Sequence, residues 1–388
     1  MKSRLFIVGW AIAVLVIVLA LPVLHAANLN PNPVHSAVGP ESITVFCYHR
    51  ILTKPLSPYD LTPLQLEAHL KYLQEHDYHP ITALQLIEAQ KNPALLPTKP
   101  IVLSFDDGHP SHYTQVFPLL KKYKFVATFF VYPVGIAEKN DGRLTWGQLN
   151  EMAKAGMDIE SHTIDHPFLT THAPGQTEAQ YMHWLEYQIK DSKTIIEQKL
   201  NRPVTLLAYP YGWFNQVTED EAVKDGYQGL FTTNWGNIDL KTNPLRINRR
   251  VMENTFDVPR VEQFLNMKPL HLEIIGPVDN SILSQIPFIQ FKLVEPGLQN
   301  VEIQVRSYRL KLDPDLKGIY NFNAMQSLKP GYCMIIIKAY DADKRLYEAS
   351  WGFDYEPVGV EPKVSSKPEL TKTIPKIEPK ATPVPGSK

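Results

Sequence analysis

Two adjacent carboxylates, Asp106 and Asp107, end the apolar run Ile101 to Phe105 and are followed by Gly108. Neighbouring residues of an extended chain face opposite ways, so such a pair can divide its work: one carboxylate grips a cation while the other stays free as a base. The plain alternative is a strand closing in an Asp-Gly turn. His162 and His166 stand four apart between Ser161 and Pro167. Pro167 and the lack of helical apolar spacing place them on a loop. With a carboxylate such as Asp107 they make two imidazoles and one oxygen, a set that suits a catalytic divalent ion because three protein ligands leave a position open for water. The stretch Ala208-Tyr209-Pro210-Tyr211-Gly212 ends another apolar run. It reads either as a turn or as a groove wall whose backbone N–H groups face a developing oxyanion. Trp235 closes a further run; an exposed indole suits a sugar ring, although tryptophan more often serves as packing.

These groups need a scaffold, and the sequence supplies one. Strand candidates lie at Ile43 to Tyr48, Ile101 to Phe105, Phe125 to Tyr132, Met157 to Ser161, Val204 to Tyr209 and Gln228 to Thr233. Helix-start signals lie between them: Thr62 with Pro63 and Gln65, Thr82 with Gln85, and Thr145 with Gln148 are capping boxes. A last helix is expected around Val258 to Leu265. Strands alternating with helices imply an α/β fold, a mostly parallel sheet or barrel wrapped by helices. Tyr48-His49, Asp106-Asp107, Ser161-His162, Tyr209 to Tyr211 and Asn234-Trp235 then all fall at the C-terminal edge of that sheet, where parallel α/β folds build their sites.

The 388 residues are too many for one average domain. Lys+Arg 39 against Asp+Glu 40 leaves a formal charge of −1, which excludes a nucleic-acid binder driven by bulk positive charge. The two cysteines, Cys47 and Cys333, each sit in an apolar run and read as small buried hydrophobes, not as a bridge. Lys2 and Arg4 precede an apolar stretch that ends near Leu24, so 1–27 reads as a signal peptide or an N-terminal membrane anchor and the folded part as exported: extracellular, periplasmic or at the cell surface. Residues 28–42 form a linker and 43–268 the α/β domain. Residues 269–356 carry alternating strand candidates at Phe288 to Leu293, Val301 to Val305, Tyr332 to Tyr340 and Tyr347 to Tyr355, which suggest a small β-sandwich with Trp351 in its core. The Pro/Lys-rich stretch 357–388 has too little apolar surface to order itself.

Ser104 to Gly108, His162 to His166 and Ala208 to Gly212 resemble the first three motifs of the polysaccharide deacetylases, also called the NodB homology domain or carbohydrate esterase family 4. The resemblance covers roughly Ile43 to Leu265. It implies a distorted (β/α) barrel and a metal-dependent hydrolase that removes acetyl from N-acetylated sugars. Carried over by position, Asp106 becomes the general base, Asp107, His162 and His166 hold the metal, and Tyr211 lends a backbone N–H to the oxyanion, with Tyr209, Pro210 and Trp235 lining the substrate groove. The ion is zinc first, with cobalt, nickel, manganese or iron compatible with the same ligands. Tyr48-His49 and the Ala-Tyr-Pro-Tyr-Gly form are most similar to the biofilm-type poly-β-1,6-N-acetylglucosamine deacetylases; a peptidoglycan or chitooligosaccharide substrate, and a non-catalytic surface polysaccharide-binding protein, are the alternatives. The partner implied is an N-acetylated polysaccharide, met by a monomer, and the C-terminal sandwich looks like an immunoglobulin-like domain. Two positions depart from the family pattern. Ala208 stands where many members carry an arginine, and the late Leu-x-His motif that supplies the general acid has no match, since Leu270-His271 has the wrong spacing. His49, at the same sheet edge, is the available substitute acid.

Overall fold

The apolar runs become neighbours in one parallel sheet. In the computed structural model, which describes residues 40–323 and 328–357, its strands are β1 (Thr44–Tyr48), β2 (His79–Ile81), β3 (Pro100–Asp106), β4 (Thr128–Val131), β5 (Asp158–Ser161), β6 (Leu206–Ala208), β7 (Gly229–Phe231) and β8 (Arg250–Val251). The order is β7-β6-β5-β4-β3-β1-β8, an open half-barrel, and β2 joins the first residues of β3 while β4 pairs with its last. The segment 1–27, linker residues 28–39 and tail residues 358–388 lie outside the described residues. Among the described residues no helix is long and apolar enough to cross a membrane.

The helices are α1 (Pro63–Glu75), α2 (Ala83–Lys91), α3 (Phe117–Tyr123), α4 (Trp146–Lys154), α5 (Glu178–Glu186), α6 (Ser192–Leu200), α7 (Gln216–Lys224) and α8 (Val258–Asn266). The three capping boxes form as the sequence indicates, each Thr hydroxyl accepting the N–H three residues on while the Gln side chain reaches back. Thr177 and Gln180 form a fourth at α5. A π-helical turn at Tyr187–Asp191 joins α5 to α6, and another at His112–Val116 opens α3.

Strand alternation sorts side chains between two cores. Phe46, Tyr48, Leu103, Phe105, Phe129, Leu207 and Tyr209 face the outer helices; Val45, Val102, Phe130, Leu206, Ala208 and Phe231 face inward, against Leu86 and Ile87 of α2. On β3 the inward column therefore runs Val102, Ser104, Asp106 and grows polar toward the C-terminal edge. On β5 it carries Asp158 and Glu160, both buried. Glu160 accepts the N–H groups of Thr205 and Leu206 at 2.9 and 2.8 Å, and Asp158 accepts the Thr128 hydroxyl at 3.2 Å.

Burial pushes both of these carboxyls up, and the charge of Asp158 pushes Glu160 further. A folded-state pKa raised above the unfolded value gives stability that is full at low pH and lost as pH rises through the raised value. Glu160→Gln, which keeps the acceptor for both N–H groups, is therefore expected to melt roughly 2–4 °C higher than the parent at pH 8 and to narrow the difference between pH 5 and pH 8. A parent whose melting temperature is the same at both pH values removes the basis for this.

After α8 the described residues form strands only: β9 (Lys268–Pro269), β10 (Leu272–Gly276), β11 (Ser281–Leu283), β12 (Phe288–Leu293), β13 (Gln299–Val305), β14 (Tyr308–Lys311), β15 (Tyr320–Asn323), β16 (Gly331–Tyr340) and β17 (Leu346–Tyr355). They make one sheet in the order β10-β12-β15 and a second in the order β11-β17-β16-β13-β14, with β9 added beside β17. Phe291, Ile335, Ile337 and Trp351 fill their own core, and the Trp351 indole donates to Pro277 O at 3.0 Å.

This region meets the half-barrel through polar contacts. The guanidinium of Arg250, on β8, pairs with Glu348 of β17 and stacks over Trp235 and Phe264, 4.4 and 4.5 Å from their ring centroids. Trp235 N–H donates to Ser350 Oγ and Asn234 Nδ2 donates to Asp279 at 2.7 Å. Gly236, with φ +122°, lets the two backbones touch: a Cβ there would sit 2.4 Å from Glu348 O.

Candidate active site

Asp106 ends β3 with its carboxyl on the inward face, 2 % exposed. Arg249, fully buried just before β8, reaches both of its oxygens, Nη1 to Oδ1 at 2.7 Å and Nη2 to Oδ2 at 2.8 Å, while its Nε donates to Thr232 O at 2.9 Å. Two parallel N–H···O bonds between opposite charges fix the carboxylate plane. Burial pushes the Asp106 carboxyl up, but the Arg249 guanidinium and the nearby imidazoles override it and hold it well below the usual carboxylate range. The carboxylate is thus ionised and oriented. Cys47 is free and buried, as its apolar setting suggests, yet it is not a mere hydrophobe: Sγ lies 3.4 Å from Asp106 Oδ2 and donates to it.

Asp107 leaves the strand with φ 79°, and its carboxylate falls in with the two histidines while that of Asp106, 3.9 Å from His162 Nε2, is held by Arg249. The Nε2 atoms of His162 and His166 lie 3.7 and 3.4 Å from its Oδ1. One ligand atom from each of the three residues falls within 4.8 Å of the others. His162 Nδ1 donates to Ala208 O at 2.7 Å, which directs the other ring nitrogen and its lone pair into the cluster. Burial pushes His162 down to about 4 and lowers His166 too, so both imidazoles are neutral at physiological pH, as metal ligands must be. The loop between them is held from outside. Ser192 Oγ donates to Thr163 O at 2.9 Å, and Gln188 Oε1, on the π turn, accepts Ile164 N–H at 3.2 Å. Two imidazoles and a carboxylate converging this way fit a divalent cation.

His49 follows β1 at the same edge. A ring nitrogen of His49, the Cys47 sulfur and an Asp106 oxygen lie within 4.8 Å of one another, and His49 Nδ1 is buried without a protein hydrogen-bond partner. His112, on the π turn after the aspartates, donates from Nε2 to His49 O at 2.9 Å and so fixes the main chain there.

The aromatic residues separate. Tyr211 is 43 % exposed, in the left-handed region at φ 60°; its ring stacks on Phe168 with centroids 3.9 Å apart and meets His166 edge-on at 4.5 Å. A Cβ on the following Gly212 would lie 2.0 Å from Thr233 Oγ1, so only glycine lets this turn close against the next strand. Tyr209 corrects the sequence expectation of a substrate contact: it is fully buried and stacks on Phe214 at 5.3 Å, because it continues the outward alternation of Leu207 into the helix-side core. Pro210 is buried as well. Trp235 is engaged under Arg250 and beside Ser350, at the contact with the C-terminal strands.

Arg249 and His112 escaped the sequence reading, which took Cys47 only for a small buried hydrophobe. Arg249 supplies Asp106 with a guanidinium while position 208 is alanine, and its local signal is no more than the pair Arg249-Arg250 between Asn248 and Val251.

Residues 95–230 match the family described as polysaccharide deacetylase. YxkH of Bacillus subtilis (strain 168) is 32% identical over 200 residues, 51% of this chain and 66% of that protein. The poly-beta-1,6-N-acetyl-D-glucosamine N-deacetylase of Staphylococcus aureus (strain MSSA476) is 27% identical over 239 residues, 55% of this chain and 81% of that one. Among solved structures, the Streptococcus pyogenes deacetylase PplD in complex with acetate superposes with a TM-score of 0.53 at 26% identity, over 60% of this chain and 99% of the other.

Proposed function

From a chain that carries a polysaccharide deacetylase domain, we propose a metal-dependent N-deacetylase that hydrolyses the acetamide groups of an exported N-acetylglucosamine polysaccharide, β-1,6-linked chains foremost. The observation that carries the reading is the division of labour at the end of β3: Asp107 belongs to a three-ligand cluster, whereas Asp106 is clamped by Arg249 and left outside it. Residues 43–268 form the catalytic part in this reading, and 269–356 an immunoglobulin-like sandwich attached to it.

Asp107, His162 and His166 would hold the ion. When bound, a divalent cation there supplies Lewis acidity to the acetamide carbonyl and to the attacking water. Asp106 Oδ2 takes the proton from that water, and Arg249 keeps the carboxylate ionised and aimed throughout. The Tyr211 N–H donates to the oxyanion as the carbonyl carbon becomes tetrahedral. His49, beside Asp106, hands a proton to the departing amine, and His112 holds its main chain in place. The products are acetate and a free amino sugar.

The deciding assay is acetate release by the metal-loaded chain from β-1,6- and β-1,4-linked N-acetylglucosamine oligomers. Release from neither would sink the reading; release from the β-1,4 series alone would replace its substrate. Chelation should abolish release and added divalent metal should restore it. His166→Ala is expected to weaken metal binding by at least the ~10–100-fold that losing an outer partner of a ligand costs. Metal content after dialysis checks this independently of activity, and a variant that retains its ion as the parent does removes His166 from the ligand set.

A further inference from the structure

The segment between His49 and α1 is a surface loop, and its backbone is fixed far more firmly than a connector needs. Arg50 pairs in a fork with Asp60, Nε to Oδ1 at 2.8 Å and Nη2 to Oδ2 at 2.9 Å. Asp60, 1 % exposed, also accepts the N–H groups of Leu56 and Ser57 at 2.8 and 2.9 Å. Leu52 N–H donates to Leu61 O and Leu61 N–H to Arg50 O, closing the base of the loop. Its outer side is tied down as well, by Ser111 Oγ at Ile51 N–H and by Asn254 at Pro58 O and Ser57 O.

What this frame presents is Tyr59. Its side chain is 49 % exposed, and its ring centroid lies 6.0 Å from that of His49, tilted by 42°. A single exposed aromatic is ordinary on a protein surface. A rigidly framed one that packs beside the histidine next to the clamped carboxylate is not, because ordering a loop costs entropy and still leaves half of this residue bare. The position matters too. In the sheet order β1 adjoins β3 on one side, while β6 lies three strands away on the other. Tyr59 follows β1 and the exposed Tyr211 follows β6, so the two bare rings stand on opposite sides of Asp106 and Asp107.

We propose that Tyr59 is a sugar-stacking subsite: the apolar face of a pyranose next to the sugar being deacetylated lies on its ring, so that the cleft reads a glycan chain and not a single sugar. The inference rests on the deacetylase reading for its ligand class. A tyrosine face carries partial negative charge that attracts the C–H groups of a β-pyranose, and its two side-chain torsions make it a cheap platform to hold still. The Arg50–Asp60 fork then serves to keep the platform level with His49 before the chain arrives.

The test is binding, measured apart from catalysis. Metal-stripped full chain, which cannot turn substrate over, is titrated calorimetrically with a β-1,6-linked N-acetylglucosamine pentamer and with the monosaccharide. The parent should favour the pentamer. Tyr59→Ala should weaken pentamer binding roughly five- to tenfold, the range of one aromatic contact, and Tyr59→Trp should restore it. Equal affinity in parent and Tyr59→Ala, no restoration by Tyr59→Trp, or no pentamer binding by the parent overturns the subsite. Tyr59-dependent binding in a protein whose metal-loaded form releases no acetate leaves the subsite standing and overturns the deacetylase reading, so the two failures are told apart.

Discussion

Arg249→Leu is expected to cost about 3–5 kcal/mol of stability and nearly all turnover. The guanidinium is fully buried, and both of its terminal nitrogens are spent on Asp106. Leucine fills part of the volume but leaves a carboxylate in the interior whose nearest remaining donor is the weak Cys47 thiol at 3.4 Å. With the guanidinium gone, the strongest influence opposing burial is lost and only the nearby imidazoles remain, so the Asp106 carboxyl is pushed up and loses the clamp that aims it as a base. Arg249→Lys keeps the charge but not the fork and should fall between. Urea unfolding and acetate release are the measurements. A leucine variant within about 1 kcal/mol of the parent would mean that the pair is compensated elsewhere. The double variant Arg249→Leu/Asp106→Asn should recover part of the lost stability, since removing both members of a buried pair is far less costly than removing one.

Asp106→Asn alone is expected to lower turnover by about 10²–10⁴-fold, the usual worth of a positioned proton acceptor, while the ion stays in place. The amide is isosteric, and Asp107, His162 and His166 do not depend on it for their positions: His162 is set by Ala208 O and the histidine loop by Ser192 and Gln188. Metal content and kcat separate the two roles. Parent-like turnover sinks the base assignment; loss of metal together with turnover places Asp106 among the ligands instead.

The scaffold and the cluster were largely legible in the chain. β3 is an apolar run that stops at two carboxylates, and the Thr-x-x-Gln boxes mark three helix starts because both halves of the capping exchange are local. Strands of two or three residues such as β2 and β8 leave too short a pattern to read. Both π turns depend on what the adjoining loops require of Gln188 and His112, which no local spacing encodes. Arg249 and Asp106 are 143 residues apart, and nothing near either names the other. Tyr209 is the instructive case. The alternation of Leu207 and Tyr209 already turned its ring toward the helices, but the motif around it drew attention to chemistry instead of to period.

Arg249 and Arg250 are consecutive, and they face different masters. One fixes the carboxylate at the centre of the site; the next is held by Glu348 on a strand that the sequence assigns to a separate region. The apparent seam near residue 269 is therefore not a line along which the protein can be cut. Severed there, the α/β part would leave that cation without its counter-charge, one peptide unit from the residue that holds the base. Parts list and working unit do not coincide, and recombination that swapped the C-terminal strands among relatives would have to carry the partner of Arg250 with them.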